Sequence, residues 1–472
     1  MNQETRLKPR VAIVKSESPE KALSEGLEKI GGISEFIQEG DTIFIKITLR
    51  FASGFPSFSN LNLVKKLISL CKKANPKKIY VGSFLNEKIT IQLIDEIFQF
   101  KEYFKILGAE FVFLDNSYFN NEKFNKSGNL KDLKNQSQKV ININDSSIEI
   151  PKMILEADKF INLNQVNVSP LNQCTLSLEN QFSILPKKYR EIHYTDDNKK
   201  DIVKNDKYQE ELSKRIIDAY LIKKPILTIN DLFYILEGAG PYIYKDSNLK
   251  TSKFLLVGTD SIAVDTITLM LMNLNTSDNR MIVEAVNRGI GPKLLSDIEI
   301  LGETLEDNIF EINLCKTKLS NIRIQNIHTF SGDMCSGCFL KAYHLLNIFK
   351  TYLIKDLKYL RENNLLIGIN PSDISPEAPI ILFGDCAIET TRDYAFRKIT
   401  KKTLIRKKEK EVTNKNILEL PGCPPNLWDC FLHLKDFFGK GDMPNLNYFI
   451  SLYKKTGFLN SKEELKNWEE IE

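Results

Sequence analysis

Strand-like and helix-like patterns take strict turns along the first third of the chain, and that alternation limits what it can fold into. RVAIVKS (10–16), DTIFIKI (41–47), KKIYVGS (77–83) and AEFVFLD (109–115) are short and rich in β-branched and aromatic residues. Between them, apolar residues recur at helical spacing. One such segment opens at Ser18-Pro19, with serine as cap and proline at the first helical position, and runs to Ile30. Others cover 62–74 and about 90–105. This order predicts an α/β fold, a mostly parallel sheet flanked by helices, because parallel neighbours need a crossover segment between them.

The rhythm breaks at 117–140, where Asn, Lys and Ser dominate, as in a surface hairpin insertion or a binding loop. It resumes with strands at 159–164, 225–231, 253–258 and 297–302 and helices at 152–157, 207–222, 260–274 and 279–289. A boundary is expected near 325, giving an α/β domain over 8–305 and a smaller α/β domain over 325–472. Each is long enough to bury its own core. The second domain reads as a long helix over 337–363 and strands at 365–370, 381–386 and 417–423, the last two followed by helices. The basic run at 399–412 is either a solvated connection or a contact for an anionic partner.

A net charge of +4 on 472 residues argues against a nucleic-acid partner. No apolar stretch approaches the roughly 18–20 residues of a membrane span, and the polar start has no signal-peptide core. A cytoplasmic protein is expected, and there eight cysteines are not a disulfide framework. Cys71, Cys174 and Cys315 lie in apolar segments as small buried hydrophobes. The other five, Cys335, Cys338, Cys386, Cys423 and Cys430, crowd into the last third.

Cys335 and Cys338, in GDMCSGC, stand where the long helix begins, and a helix N-terminus favours thiolate. Cys386 and Cys423 each follow an apolar strand, at the edge where α/β sheets bind ligands. Gly337, Gly384 and Gly422 let backbone N–H groups approach sulfur, and Pro424 and Pro425 stiffen the last turn. Four thiolates at Cys335, Cys338, Cys386 and Cys423 suit a [4Fe–4S] cluster or a tetrahedral zinc. A single CxxC followed by two separated cysteines leans toward the cluster, since structural zinc commonly uses two such pairs. Cys430 is a spare ligand or a packed thiol.

In the first domain Asp231, Asp265 and His193 are candidate catalytic groups, and Lys46, Glu237, Gly238, Gly240 and Asp260 candidate ligand contacts. The Gly238-Ala239-Gly240-Pro241 loop could present N–H groups to an anion. Asp260 is equally a helix N-cap. Asp265, inside an apolar helix, needs a partner, through a salt bridge or in a site. No Walker or Rossmann glycine motif points to a nucleotide.

DTIFIK (41–46), LEADKFINLN (155–164), TLSLENQFSILP (175–186) with REIHY (190–194), NDLFYILEGAGP (230–241), GTDSIAVDTITLMLM (258–272) and AVNRGIG (285–291) together resemble the domain of unknown function 362 family over roughly 8–305. Some archaeal and bacterial members look similar at the tail, with CxxC, Gly-Asp-Cys and Gly-Cys-Pro-Pro, and members often occur with iron–sulfur proteins. The resemblance implies the fold and a [4Fe–4S] expectation; with the four cysteines, a redox or electron-transfer role is expected, with a redox partner protein or a small anionic ligand. It implies no particular reaction. The chain departs from the family pattern at Lys46-Ile47-Thr48, Asn167-Val168-Ser169 and Glu179-Asn180, losing two lysines and a histidine. The alternatives are a non-redox scaffold on zinc, and an isomerase- or hydrolase-like enzyme with a structural metal.

Overall fold

In the computed structural model the described residues are 8–50, 54–84, 98–114, 138–143, 146–190, 192, 199–357, 362–374, 378–397, 416–438, 443 and 445–448. The chain divides into two units, Met1–Glu191 with Leu212–Cys315, and Ile192–Glu211 with Lys316–Glu472. Segment 192–211 thus belongs to the second unit although its place in the chain lies inside 8–305.

The first unit's elements are β1 (Arg10–Lys15), α1 (Pro19–Lys29), β2 (Thr42–Ile47), α2 (Leu61–Lys72), β3 (Lys78–Ser83), β4 (Glu110–Phe113), β5 (Lys159–Gln165), α3 (Ser177–Phe182), β6 (Leu227–Asp231), β7 (Phe254–Gly258), α4 (Ser261–Leu271) and β8 (Glu299–Gly302). One eight-stranded sheet runs in the order β8-β1-β7-β6-β5-β2-β3-β4. Every neighbouring pair is parallel except those of β7, which lies antiparallel to both β1 and β6. The physical reason is the connection from β6, which holds a two-stranded hairpin, Tyr234–Glu237 with Asn248–Thr251, and no crossover helix. The central strands are covered on both faces: all five residues of β6 and of β7 are buried.

Helix boundaries follow local chemistry. Ser18 Oγ accepts the Lys21 N–H at 3.2 Å, and Pro19 stands in the first turn of α1. Asp260 caps α4: its Oδ1 accepts the Ala263 N–H at 2.9 Å and its Oδ2 accepts the Tyr220 hydroxyl at 2.8 Å. Helix α4 is largely apolar and buries Ile262, Val264, Ile267, Leu269 and Leu271, each contributing about 1.5–3 kcal/mol. Asp260→Ala is expected to destabilise the first unit by about 1–2 kcal/mol, read as a lower urea midpoint. Asp260→Asn should recover part of that loss, and equal midpoints for Ala and wild type would show the cap to be idle.

The second unit holds β9 (Ile327–Ser331), α5 (Ser336–Thr351), β10 (Asn363–Ile367), β11 (Ile380–Phe383), α6 (Asp385–Thr390), β12 (Ile417–Leu420) and α7 (Leu427–Phe438). Its four strands are all parallel, in the order β9-β10-β11-β12. Helix α5 stops at Thr351, short of the expected 363. The N–H groups of Tyr352 and Leu353 both turn back to Ile348 O, and Leu353 and Leu357 fold under. The buried Asp356 carboxylate then accepts the Asn445 and Leu446 N–H groups, which a continuing helix would displace.

The expected helix at 90–105 is described from Phe100–Ile106 only. Most of the 117–140 excursion, the 399–412 run and His193 lie outside the described residues. A hairpin, Gln138–Ile143 with Ser146–Pro151, follows the excursion. Among the described residues, no helix is long and apolar enough to cross a membrane.

Candidate metal centre

Three loops at the carboxyl edge of the second sheet carry the four cysteines. After β9 the chain is stitched to the end of β10: Gly332 N–H donates to Ile367 O at 2.8 Å, and Asp333 and Ile369 exchange N–H···O bonds of 3.1 and 2.6 Å. A Cβ at Gly332 would meet Ile369 O at 1.9 Å, so only glycine permits this approach. Cys335 is then the N-cap residue of α5 and Cys338 lies in its first turn, both buried. Asp206, of the upstream segment, fixes that helix end by accepting the Ser336 N–H at 3.2 Å and the Ser336 hydroxyl.

The other two loops are clasped together. Asp385 Oδ1 accepts the Gly422 N–H at 2.7 Å, and Asp385 N–H donates to Gly422 O at 3.2 Å. Cys386 and Cys423 sit one residue beyond each half of this clasp. Gly384 enters α6 at φ +89°, and a Cβ there would stand 3.5 Å from Cys338 Sγ.

Cys335, Cys338, Cys386 and Cys423 line one small cavity, about 10 Å³, with Lys199 and Gly368 beside them. That is room for roughly one water-sized sphere. The Lys199 ammonium, nearly buried, lies 3.6 Å from Asp385 and 3.3 Å from Glu389. Cys430 is buried in α7 and does not line the cavity. Although the four thiols share one space, no group of three or more His, Cys, Asp or Glu among the described residues is placed to hold a single metal ion.

The thiols are unequal. A hydrogen bond from Cys338, with the N–H groups of Cys338 and Gly337, brings Cys335 down to about 7. Donating that bond, and burial, push Cys338 well above its ordinary value. Burial raises Cys386, and burial with the charges of Cys386 and Cys335 pushes Cys423 up to about 12, Lys199 opposing both. One thiolate is thus held by N–H donors, and the other three need added positive charge to ionise.

The first unit's acidic candidates have structural partners. Asp265 makes no salt bridge among the described residues. Its buried carboxylate instead accepts the Ser177 and Leu178 N–H groups at 2.9 Å each, capping α3, and the Asn230 side-chain amide at 2.9 Å. Burial raises it to about 6 against those bonds. Asp231 Oδ1 accepts the Phe233 N–H at 2.9 Å, while its buried Oδ2 has no partner among the described residues, and burial raises it to about 7. Glu237 is held by Asn313, through N–H at 3.1 Å and Nδ2 at 2.8 Å. The glycine loop's donors are already used: Gly238 N–H goes to Asn313 O and Ala239 N–H to Glu237 O. A Cβ at Gly240 would meet Val168 O at 2.6 Å, so that glycine answers to packing.

Lys199, Asp206 and Asp385 escaped the sequence reading. Asp385 alone carried a signal, its place beside Cys386 after a strand.

No curated protein matches this chain. Among solved structures, the lactate racemase apoprotein from Thermoanaerobacterium thermosaccharolyticum aligns over 92% of this chain and 86% of its own, at 11% identity and a TM-score of 0.35. The profile of the family described as Domain of unknown function (DUF362) matches residues 43–270, a span that ends before the first of the four clustered cysteines. That match supports the DUF362 family for residues 43–270.

Proposed function

We propose that this chain is a cytoplasmic iron–sulfur protein in which Cys335, Cys338, Cys386 and Cys423 hold a [4Fe–4S] cluster used for redox chemistry with a partner protein. The observation that carries this reading is that all four thiols, from three loops, line one space, which at about 10 Å³ would have to widen to take a cluster. The donor set is all sulfur, and Gly384 keeps the space beside Cys338 clear of a side chain. A single zinc needs its ligands to converge on one point at about 2.3 Å, whereas the thiolates of a cubane each bind a different iron. All eight cysteines are free thiols, which suits a reducing compartment.

When bound, the cluster supplies one-electron transfer. The protein's own groups set its environment. The N–H groups of Gly337 and Cys338 point at the Cys335 sulfur, and the Lys199 ammonium offsets negative charge at Cys386 and Cys423. Both effects favour the reduced state.

The test is anaerobic purification with iron, sulfide and zinc analysis, absorption near 400 nm, and EPR after dithionite. About four irons and four sulfides per chain are expected, with a band that bleaches on reduction. Serine at any one of the four cysteines should remove most of the iron, and Lys199→Met should lower the midpoint potential. Stoichiometric zinc without a visible band, or full iron in all four serine variants, overturns the proposal.

A further inference from the structure

We infer that the first unit binds a small oxyanion, a carboxylate or phosphate group, against the buried guanidinium of Arg50 just beyond the carboxyl end of β2. The site is independent of the cysteines and of the reading built on them.

Two basic side chains are enclosed here without a carboxylate in ion-pair contact. Lys46, the last residue but one of β2, is 0% exposed, and its Nζ donates to Ile47 O at 2.8 Å and Asn180 Oδ1 at 2.9 Å. Arg50 is 6% exposed, and its Nη1 donates to Ser57 O at 3.0 Å. Among the described residues no carboxylate stands within 4.0 Å of either cation. Buried charges are otherwise paired, because removing them from water is strongly unfavourable.

Burial, with the charges of Arg50 and Arg190, depresses Lys46 well below its ordinary value. A guanidinium does not lose its proton in proteins. Arg50 therefore stays charged inside the protein. Glu179 is a charge neighbour of Arg50 but not in ion-pair contact with it: burial raises its carboxyl, while the Arg50 charge and the Asn172 amide, at 3.2 Å, oppose that shift. Beside Arg50 the buried Ser57 Oγ also lacks a partner among the described residues. A guanidinium without a carboxylate in ion-pair contact and an unused hydroxyl share one place.

That place is where open α/β sheets take ligands. Thr48 ties it to the neighbouring strand, accepting the Gln165 N–H at 3.0 Å and bonding Asn164 at 3.1 Å. Glu179 and Tyr242, both charge neighbours of Arg50, are only half-buried, so the solvent boundary lies close to it. The planar guanidinium fork matches two oxygens of a carboxylate or phosphate, and the enclosure limits the ligand to a small one.

The test uses the full chain with inorganic phosphate and, separately, malonate, each against chloride at equal ionic strength. A saturable rise in melting temperature and protection of Arg50 from phenylglyoxal, mapped by peptide mass, are expected with at least one of them. Protection by phosphate alone supports a phosphate ligand, and by malonate alone a carboxylate. Arg50→Met should weaken the response at least tenfold. If that variant does not fold, the wild-type mapping of Arg50 still decides. No response beyond chloride to either anion, or an undiminished response in folded Arg50→Met, overturns the inference.

Discussion

Replacing Asp265 with alanine is expected to destabilise the first unit by about 3–5 kcal/mol, the largest single-residue effect in that unit. The carboxylate is 0% exposed and accepts from the Ser177 N–H, the Leu178 N–H and the Asn230 amide. Alanine leaves three buried donors with no acceptor, and water cannot reach them. The damage spreads, because α3 loses its cap and carries Asn180, which holds Lys46. Urea unfolding followed by circular dichroism measures the loss. A change under about 1 kcal/mol would mean that the cap is dispensable.

The second large effect is on pH. Asp231 is raised from 3.8 to about 7, chiefly by burial, with Glu20 adding like charge and the Phe233 N–H opposing. The folded state therefore holds this proton more tightly than the unfolded chain. The stability linked to it is fully present below pH 3.8 and is lost as pH rises through about 7. At 1.36 kcal/mol per unit, the loss from this group is up to about 4 kcal/mol. Asp231→Asn, which resembles the protonated acid, should match wild type near pH 4 and exceed it at pH 8. Because Asp265 titrates in the same direction, the difference between variant and wild type is what isolates Asp231. Parallel urea-midpoint profiles for the two proteins would sink this account.

What could be read from the residues, and what could not, divides along physical lines. The parallel sheets were legible because their strands are continuous apolar runs, and such runs need cover on both faces. The reversal of β7 was not, because nothing in a short apolar run records its direction; only the missing helix between β6 and β7 carried that information. The clustered cysteines announced themselves through their neighbours, Gly384 and Gly422 at strand ends. Lys199 did not, since it comes from a distant segment with an ordinary lysine-rich composition. An acid inside an apolar helix showed that Asp265 needed a partner. The partner turned out to be backbone N–H groups 87 and 88 residues away, which no side-chain pattern encodes. Arg50 drew no attention because it stands past the end of β2, outside any periodic segment.

The strand order β9-β10-β11-β12 is also the order of the chain. During synthesis each strand can dock on its predecessor as it leaves the ribosome, without waiting for a later one to insert. The cysteines arrive on the same schedule. Cys335 and Cys338 emerge first, Cys386 later, and Cys423 only after β12. A centre that requires all four sulfurs would then be completed only once Cys423 has emerged, and until that point the early pair would be open to oxidants and to competing metals. The Asp385–Gly422 clasp closes at the same late moment, so the edge is shaped only when its last strand arrives.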